Sequence, residues 1–218
     1  DATDSLIGIR HFIQNIPLML SSVDFQSFLK KKNSDLAIIA STGPSLMKQL
    51  PLLKEMQQYV TIIVPDASMP VLIKNGITPD IVTSLERIEL TAKFFDATPK
   101  ASQKDIVFVH SALQHKTVLD ASYGQKVLPM RPFGYMRAFE LDNYGYAGIG
   151  MSAANLAFEI AFLMGFKNIA FIGQDLAFGA DGTSHAKDHT FGENDEAFLA
   201  NVKNLDKDNE IMVPAYGG

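Results

Sequence analysis

The sequence contains no cysteine. Disulfides and thiolate metal sites are therefore excluded. No stretch reaches the roughly 18 unbroken apolar residues of a membrane span. Positive charge is not in excess: 19 Lys and Arg stand against 24 Asp and Glu, a formal net charge of −5. A nucleic-acid partner is not expected of such a chain. The chain opens Asp-Ala-Thr-Asp, not basic then apolar, so no secretory signal is visible and a cytoplasmic location is the expectation. With no initiating Met and a Val-Pro-Ala-Tyr-Gly-Gly ending, it is expected to be a piece of a longer protein. What is present is ordinary globular composition. Of 218 residues 47% are hydrophobic and 20% charged, enough for one large domain or one domain with appendages.

Asp4 is placed to cap a first helix with Leu6, Ile9, Ile13 and Ile16 on one face, and Pro17 is expected to kink or end it. Phe25, Phe28 and Leu29 suggest a short second helix. Residues 1–34 thus read as a helical segment packed on a core domain of residues 35–218. Then runs rich in Val and Ile recur: Leu36–Ala40, Thr61–Val64, Ile81–Leu85, Ile106–Val109, Val127–Met130 and Ile169–Ile172. They are continuous, not alternating, as strands buried on both faces are. Helical patterns lie between most of them. Pro44 suits the first turn of a helix running through Leu53 and Met56, with Pro51 bending it. Ser68 suits the cap of a helix that stops at Gly76. Met151–Met164 is almost wholly apolar, broken only by Ser152, Asn155 and Glu159, and predicts a buried helix that Gly165 stops. Thr98–Asp105 reads as an exposed loop and Lys203–Glu210 as a solvated surface segment. The alternation predicts an α/β fold: a Rossmann-like three-layer sandwich with a mostly parallel sheet of about six or more strands and an N-terminal helical appendage.

Ligands of open α/β sheets sit outside the carboxyl ends of the strands. In chain order the strands deliver Ser41-Thr42-Gly43-Pro44-Ser45, Pro65-Asp66-Ala67-Ser68, Glu86-Arg87, His110-Ser111, Arg131-Pro132 and Gly173-Gln174-Asp175. Asp66, Glu86 and Asp175 are expected to arrive together, which caps and turns do not readily explain. The first turn lacks the Gly-Lys-Ser/Thr of a phosphate loop and the three glycines of a dinucleotide fingerprint. Gly43 would still let backbone approach a ligand, and the helix start would present N–H groups of Thr42, Gly43, Ser45 and Leu46 to a phosphate. A plain strand-to-helix turn explains the same residues equally well.

The stretch Gly173–Gly192 holds His185 and His189 among aspartates and glycines. On a helix that spacing would make a metal pair, but the glycines make it a loop. A histidine acting as general acid or base fits it better, since His titrates near neutral pH. A surface loop with solvated histidines is the structural alternative. His11 reads as a helix-face residue, His110 as a strand-end residue and His115 as a helix-surface residue.

The stretches Ala40–Leu46, Asn75–Asp80 leading to Glu86, Ile172–Phe178 and Ser184-His185-Ala186 together resemble the central domain of the motility accessory factor family. That family is implicated in bacterial flagellin glycosylation. Its domain is similar to an archaeal pterin diphosphokinase and to sialyltransferases that use CMP-sialic acid. The resemblance covers nearly the whole chain. It implies transfer of a CMP-activated nonulosonic acid, pseudaminic or legionaminic in type, to Ser or Thr hydroxyls of flagellin, in support of flagellar assembly and motility. It implies that Thr42, Gly43, Pro44 and Ser45 face the nucleotide phosphate, with Asp66 and Ser68 by the ribose or base and Glu86 ending the third strand. It implies substrate contacts from Gly150, Ser152, Gln174 and Ser184. The sialyltransferases carry Ser-Gly-x-x-Met where this chain has Gly148-Ile149-Gly150-Met151-Ser152, a departure from their pattern. A base must take the acceptor's proton, and His185 is the first choice, Asp175 the second.

Two other readings of the same residues stand beside this one. In a Mg²⁺-dependent diphosphokinase, Asp66, Glu86 and Asp175 would hold the metal, because Mg²⁺ takes oxygen ligands; no other cofactor is implied. A flagellin-binding module with a degenerate nucleotide pocket would bind protein and make no product.

Overall fold

The computed structural model describes residues 2–180 and 182–190. The expected surface segment Lys203–Glu210 lies outside them. Helices α1 (Ala2–Ser21) and α2 (Phe25–Leu29) precede β1 (Leu36–Ala40). Then come α3 (Leu46–Met56), β2 (Thr61–Pro65), α4 (Met69–Lys74), β3 (Ile81–Ser84), α5 (Ala92–Asp96) and α6 (Lys100–Gln103). The order closes with β4 (Val107–His110), α7 (Lys116–Ala121), β5 (Gln125–Val127), α8 (Ala153–Leu163) and β6 (Asn168–Ile172). Among the described residues no helix is long and apolar enough to cross a membrane.

The six strands form one parallel sheet in the order β5-β4-β3-β2-β1-β6. Successive side chains of a strand point to opposite faces, and here both faces are covered. Ile38, Ala40, Ile62, Val64, Val82 and Phe108 pack with residues of α3, α4, α5 and α7. Ala37, Ile39, Ile63, Ile81 and Val109 pack with residues of α2 and α8. That double burial is why the runs are continuous and rich in Val and Ile. The last strand is the exception. It lies at the edge of the sheet, and Asn168 and Phe171 are exposed, so the apolar run Ile169–Ile172 does not mark a strand buried on both faces. Phe171 packs at a tilt against Phe158 of α8, ring centroids 5.7 Å apart. The fifth strand is shifted too: it ends at Val127, and Met130 beyond it makes an isolated parallel bridge with Tyr146.

Three other expectations are corrected. Helix α1 runs unbroken through Pro17. Proline forfeits one bond, to the carbonyl four residues back, and Ile13 there lies on the exposed side of the helix. The buried face of α1 is His11, Phe12, Asn15 and Met19, while Leu6 and Ile13 are exposed. Asn15 Nδ2 donates to the carbonyls of Ala112 (3.1 Å) and Gln114 (2.8 Å), and His11 Nδ1 donates to Leu113 O at 3.1 Å. This face covers the chain leaving β4, and its polar members satisfy backbone acceptors there. Finally, Thr98–Asp105 is not an exposed loop: it contains α6, and Thr98 and Gln103 are buried.

Candidate functional site

The chain steps from β1 through β5 in one direction, and β6 then returns to the other side of β1. The carboxyl ends of β1 and β6 therefore flank the topological switch point, where open α/β sheets bind ligands. The loops leaving these strands touch through backbone. Gly43 N–H donates to Gly173 O at 2.7 Å, and Ser41 N–H to Ile172 O at 2.9 Å. Ser41 Oγ donates to Gln174 Oε1 at 2.9 Å. A Cβ on Gly43 would stand 2.1 Å from Asp175 Oδ2 and 2.5 Å from Gly173 O, so glycine is required by this approach.

Asp175 sits at the start of α3, where its Oδ2 accepts the Ser45 N–H at 3.0 Å. Free N–H groups and the positive end of the dipole draw an anion to that place. The anion there is the chain's own carboxylate. The N–H of Leu46 is also spent, on Gly43 O at 3.0 Å. The donors of Gly43, Ser45 and Leu46, expected to face a phosphate, are thus bonded within the chain in this structure, and Gly43 admits the neighbouring loop.

The segment 183–190 folds over the same turn. Ala186 is buried in the core, and its N–H donates to Thr42 O at 2.7 Å. Lys74 of α4 pairs with Asp188 at 2.5 Å. Pinned at both points, the segment brings the rings of His185 and His189 to 4.4 Å, without a helix. Ser184 Oγ lies 2.8 Å from His185 Nδ1. Burial lowers the pKa of His185, and burial together with His185 pushes His189 down to about 4. Both rings are neutral at pH 7, so His185 is in the protonation state a base needs.

Asp66 does not join this cleft. It is buried, with Oδ1 accepting Ala67 N–H (2.8 Å) and Oδ2 accepting Ser84 Oγ–H (2.5 Å). Gln114 Nε2 donates to Ser84 Oγ at 2.6 Å and to Glu86 O at 3.1 Å. Its Oε1 lies 2.7 Å from His110 Nδ1, and His110 Nε2 lies 2.9 Å from Ser122 Oγ. Burial pushes His110 down to about 3, so the ring is neutral. The Nδ1–H tautomer donates to Gln114 Oε1, while Nε2 faces Ser122 Oγ, whose single hydrogen also reaches Leu119 O at 3.0 Å. Burial pushes Asp66 the other way, up to about 6. The network cross-links the carboxyl ends of β2, β3 and β4. Ser68 is fully buried, and its hydroxyl has no partner among the described residues.

A cavity of about 340 Å³ opens farther along the same edge, lined by Asp4, Ser5, Leu85, Glu86, Arg87, Ile88, Arg131, Phe133, Tyr135 and Met151. Arg131 is 7% exposed, donates from Nη2 to Gly150 O at 3.0 Å, and lies 4.8 Å from the Phe133 ring centroid. Burial, then the nearby Arg87, lowers its pKa. Arg87 pairs with Asp4 of α1. The polar interruption in the apolar α8 is explained here as well. Glu159 accepts the N–H groups of Gly148 (2.7 Å) and Ile149 (3.0 Å) and so holds the loop that presents Gly150. Ser152 caps α8 by accepting Asn155 N–H at 3.2 Å.

Apart from Ser68, buried with no hydroxyl partner among the described residues, and Ser152, which caps α8, the expected site residues fall into three groups. Thr42, Gly43, Pro44, Ser45, Gln174, Asp175, Ser184 and His185 gather at the β1/β6 switch. Asp66 belongs to the buried network. Glu86 and Gly150 belong to the arginine cavity. Glu86 acts on Asp66 through space, but among the described residues no group of three or more His, Asp or Glu, these two and Asp175 included, is placed to hold a metal ion. The sequence offered Arg131 only as a strand-end residue, and nothing in Met-Arg-Pro-Phe says that the arginine is buried. Gln114 and Ser84 carried no signal at all.

Residues 10–181 match the family described as 6-hydroxymethylpterin diphosphokinase MptE-like. No curated protein matches the chain. Among solved structures the chain is similar to the MAf glycosyltransferase from Magnetospirillum magneticum AMB-1, with 22% identity and a TM-score of 0.61. The match covers 68% of this chain and 24% of that one, so the chain spans about a quarter of that protein's length. At this identity the likeness is one of fold.

Proposed function

The chain belongs to the MptE-like family, and from that premise we propose that it is the nucleotide-sugar-binding part of a glycosyltransferase. The donor in this reading is a CMP-activated nonulosonic acid and the acceptor a Ser or Thr hydroxyl of flagellin, in the cytoplasm, with motility as the outcome. The named glycosyltransferase neighbour and the motifs from Ala40 to Leu46 and Ile172 to Phe178 support it. The observation that carries it is the docking of the 183–190 segment on Thr42 O, which brings a neutral His185 to the switch point.

In the reaction the bond between the anomeric carbon and the phosphate oxygen breaks, and CMP leaves with the electron pair. The acceptor oxygen forms the new bond to that carbon, and its proton passes to His185. The base must come within about 2.6–3.2 Å of the hydroxyl in a productive pose. A phosphate approaching α3 competes with Asp175 for the Ser45 N–H, so Asp175 gates that approach in this reading.

The experiment is transfer by His185→Ala. CMP binding is expected to persist within about threefold while transfer falls by roughly 10²–10⁴. Normal transfer by the variant would remove the role. Flagellin capture without any product from the unaltered protein would favour a binding module. The family's description favours a diphosphokinase as the second reading. That reaction needs Mg²⁺ held by gathered oxygen ligands, and the three expected carboxylates lie in three different groups. Turnover of a nucleoside triphosphate with a pterin would nonetheless decide for it.

A further inference from the structure

Among the described residues Arg131 is the buried charged group whose donors are not all used. It is 7% exposed, its Nε–H has no partner, and no carboxylate lies within ion-pair distance among the described residues. Glu86 and Glu159 act on it only through space. A buried cation with no carboxylate in contact is unfavourable, and a fold that keeps one has a use for it. Arg131 lines the cavity of about 340 Å³, a size suited to one sugar ring or a similar group. A second guanidinium, Arg87, lines it too and lies 6.0 Å from the same Phe133 ring that Arg131 approaches. At the cavity wall Arg87 already receives a carboxylate, that of Asp4. Leu85, Met151 and Phe133 supply apolar surface for the body of a ligand.

We propose that this cavity is an oxyanion subsite in which Arg131, with Arg87, binds the carboxylate or phosphate of the substrate. The guanidinium fork matches either group through paired N–H donors. The Gly148–Gly150 loop, tied by Glu159 and by the Arg131 bond to Gly150 O, holds the fork in place. The subsite supplies the positive charge that the start of α3, occupied by Asp175, does not offer. Only the identity of the ligand rests on the glycosyltransferase reading.

Calorimetric titration of the 218-residue chain with N-acetylneuraminic acid and, separately, with CMP tests this. The first carries a carboxylate and no phosphate, the second a phosphate and no sugar acid. Arg131→Gln is expected to weaken one of them at least tenfold, and Arg131→Lys to restore part of the loss. Loss confined to the acidic sugar assigns a carboxylate; loss confined to CMP assigns the phosphate. If Arg131→Gln does not fold, Arg87→Gln on the cavity wall carries the same decision, with a loss of about threefold or more expected. Binding unchanged by the substitution, or binding of neither probe to the unaltered protein, overturns the subsite. Binding of the acidic sugar without CMP leaves the subsite standing and removes the CMP-linked donor.

Discussion

Gly43 changed its meaning between sequence and structure. From sequence, Gly43 reads as a residue that lets backbone approach a ligand. The structure puts Asp175 and the Gly173 carbonyl where the side chain would go. Gly43→Ala should therefore cost about 1–3 kcal/mol of stability by overpacking, measurable by urea unfolding, and Gly43→Val more. Unchanged stability would mean the two loops do not meet in solution. Asp66 makes a different prediction. Its pKa is raised by burial from 3.8 to about 6. The folded state therefore holds a proton that the unfolded state has lost between those values, and stability falls as pH rises through that window. The fall amounts to about 3 kcal/mol at 1.36 kcal/mol per unit. Buried His110 and half-buried His189, with lowered pKa values, contribute the opposite slope: stability present above pH 6.5 and lost as pH falls toward about 3 and about 4. Denaturation of Asp66→Asn beside the unaltered protein from pH 4 to 7 isolates the aspartate, since the histidines are common to both. The variant should gain steadily up to pH 6 and then level off; parallel curves would show that Asp66 ionises normally. Residues that end strands were legible because the α/β topology fixes where such residues go. Their partners were not. Ser45 meets Asp175 only because two loops distant in sequence cross at the switch point.

The strands were legible as elements because double burial writes itself into uninterrupted Val and Ile. Helix α1 was legible as a helix but not by face. Its apolar spacing pointed to Leu6, Ile9, Ile13 and Ile16, yet the surface it covers presents the carbonyls of Ala112, Leu113 and Gln114. Polar residues with donors, His11 and Asn15, serve that surface better than apolar ones, and hydrophobic periodicity is blind to them. Asn15→Ala should therefore destabilise the chain by about 1–3 kcal/mol, a cost out of proportion for a polar residue on a terminal helix. Hydrogen exchange that shows faster opening at Ala112–Gln114 would locate the effect; exchange unchanged there would count against it. The same blindness misplaced Thr98–Asp105. Gln103 is buried there because its amide donates to Phe95 O and Thr98 O and accepts Tyr123 N–H.

For the molecule as a whole, strand and helix alternation was enough to give a parallel sheet in three layers. It could not give strand order, because periodicity identifies a strand and not its neighbour. The placement of β6 beside β1 decides where the candidate site lies, and it is set by α8, whose Leu156, Ala157, Ile160 and Ala161 share a core with Ala37, Ile39 and Ile63. That placement also sets a timetable. During synthesis β1 finds β2 early, but Leu36 must wait for Asn168 and Ala40 for Ile172. Closing so long a stretch of chain is slow compared with local pairing. Until then one edge of β1 is an open row of backbone donors and acceptors, and the turn at Gly43 has no loop to rest on. Among the described strands the switch point is thus completed last, and a ribosome paused before residue 168 would hold five of these strands and only the β1 side of the cleft.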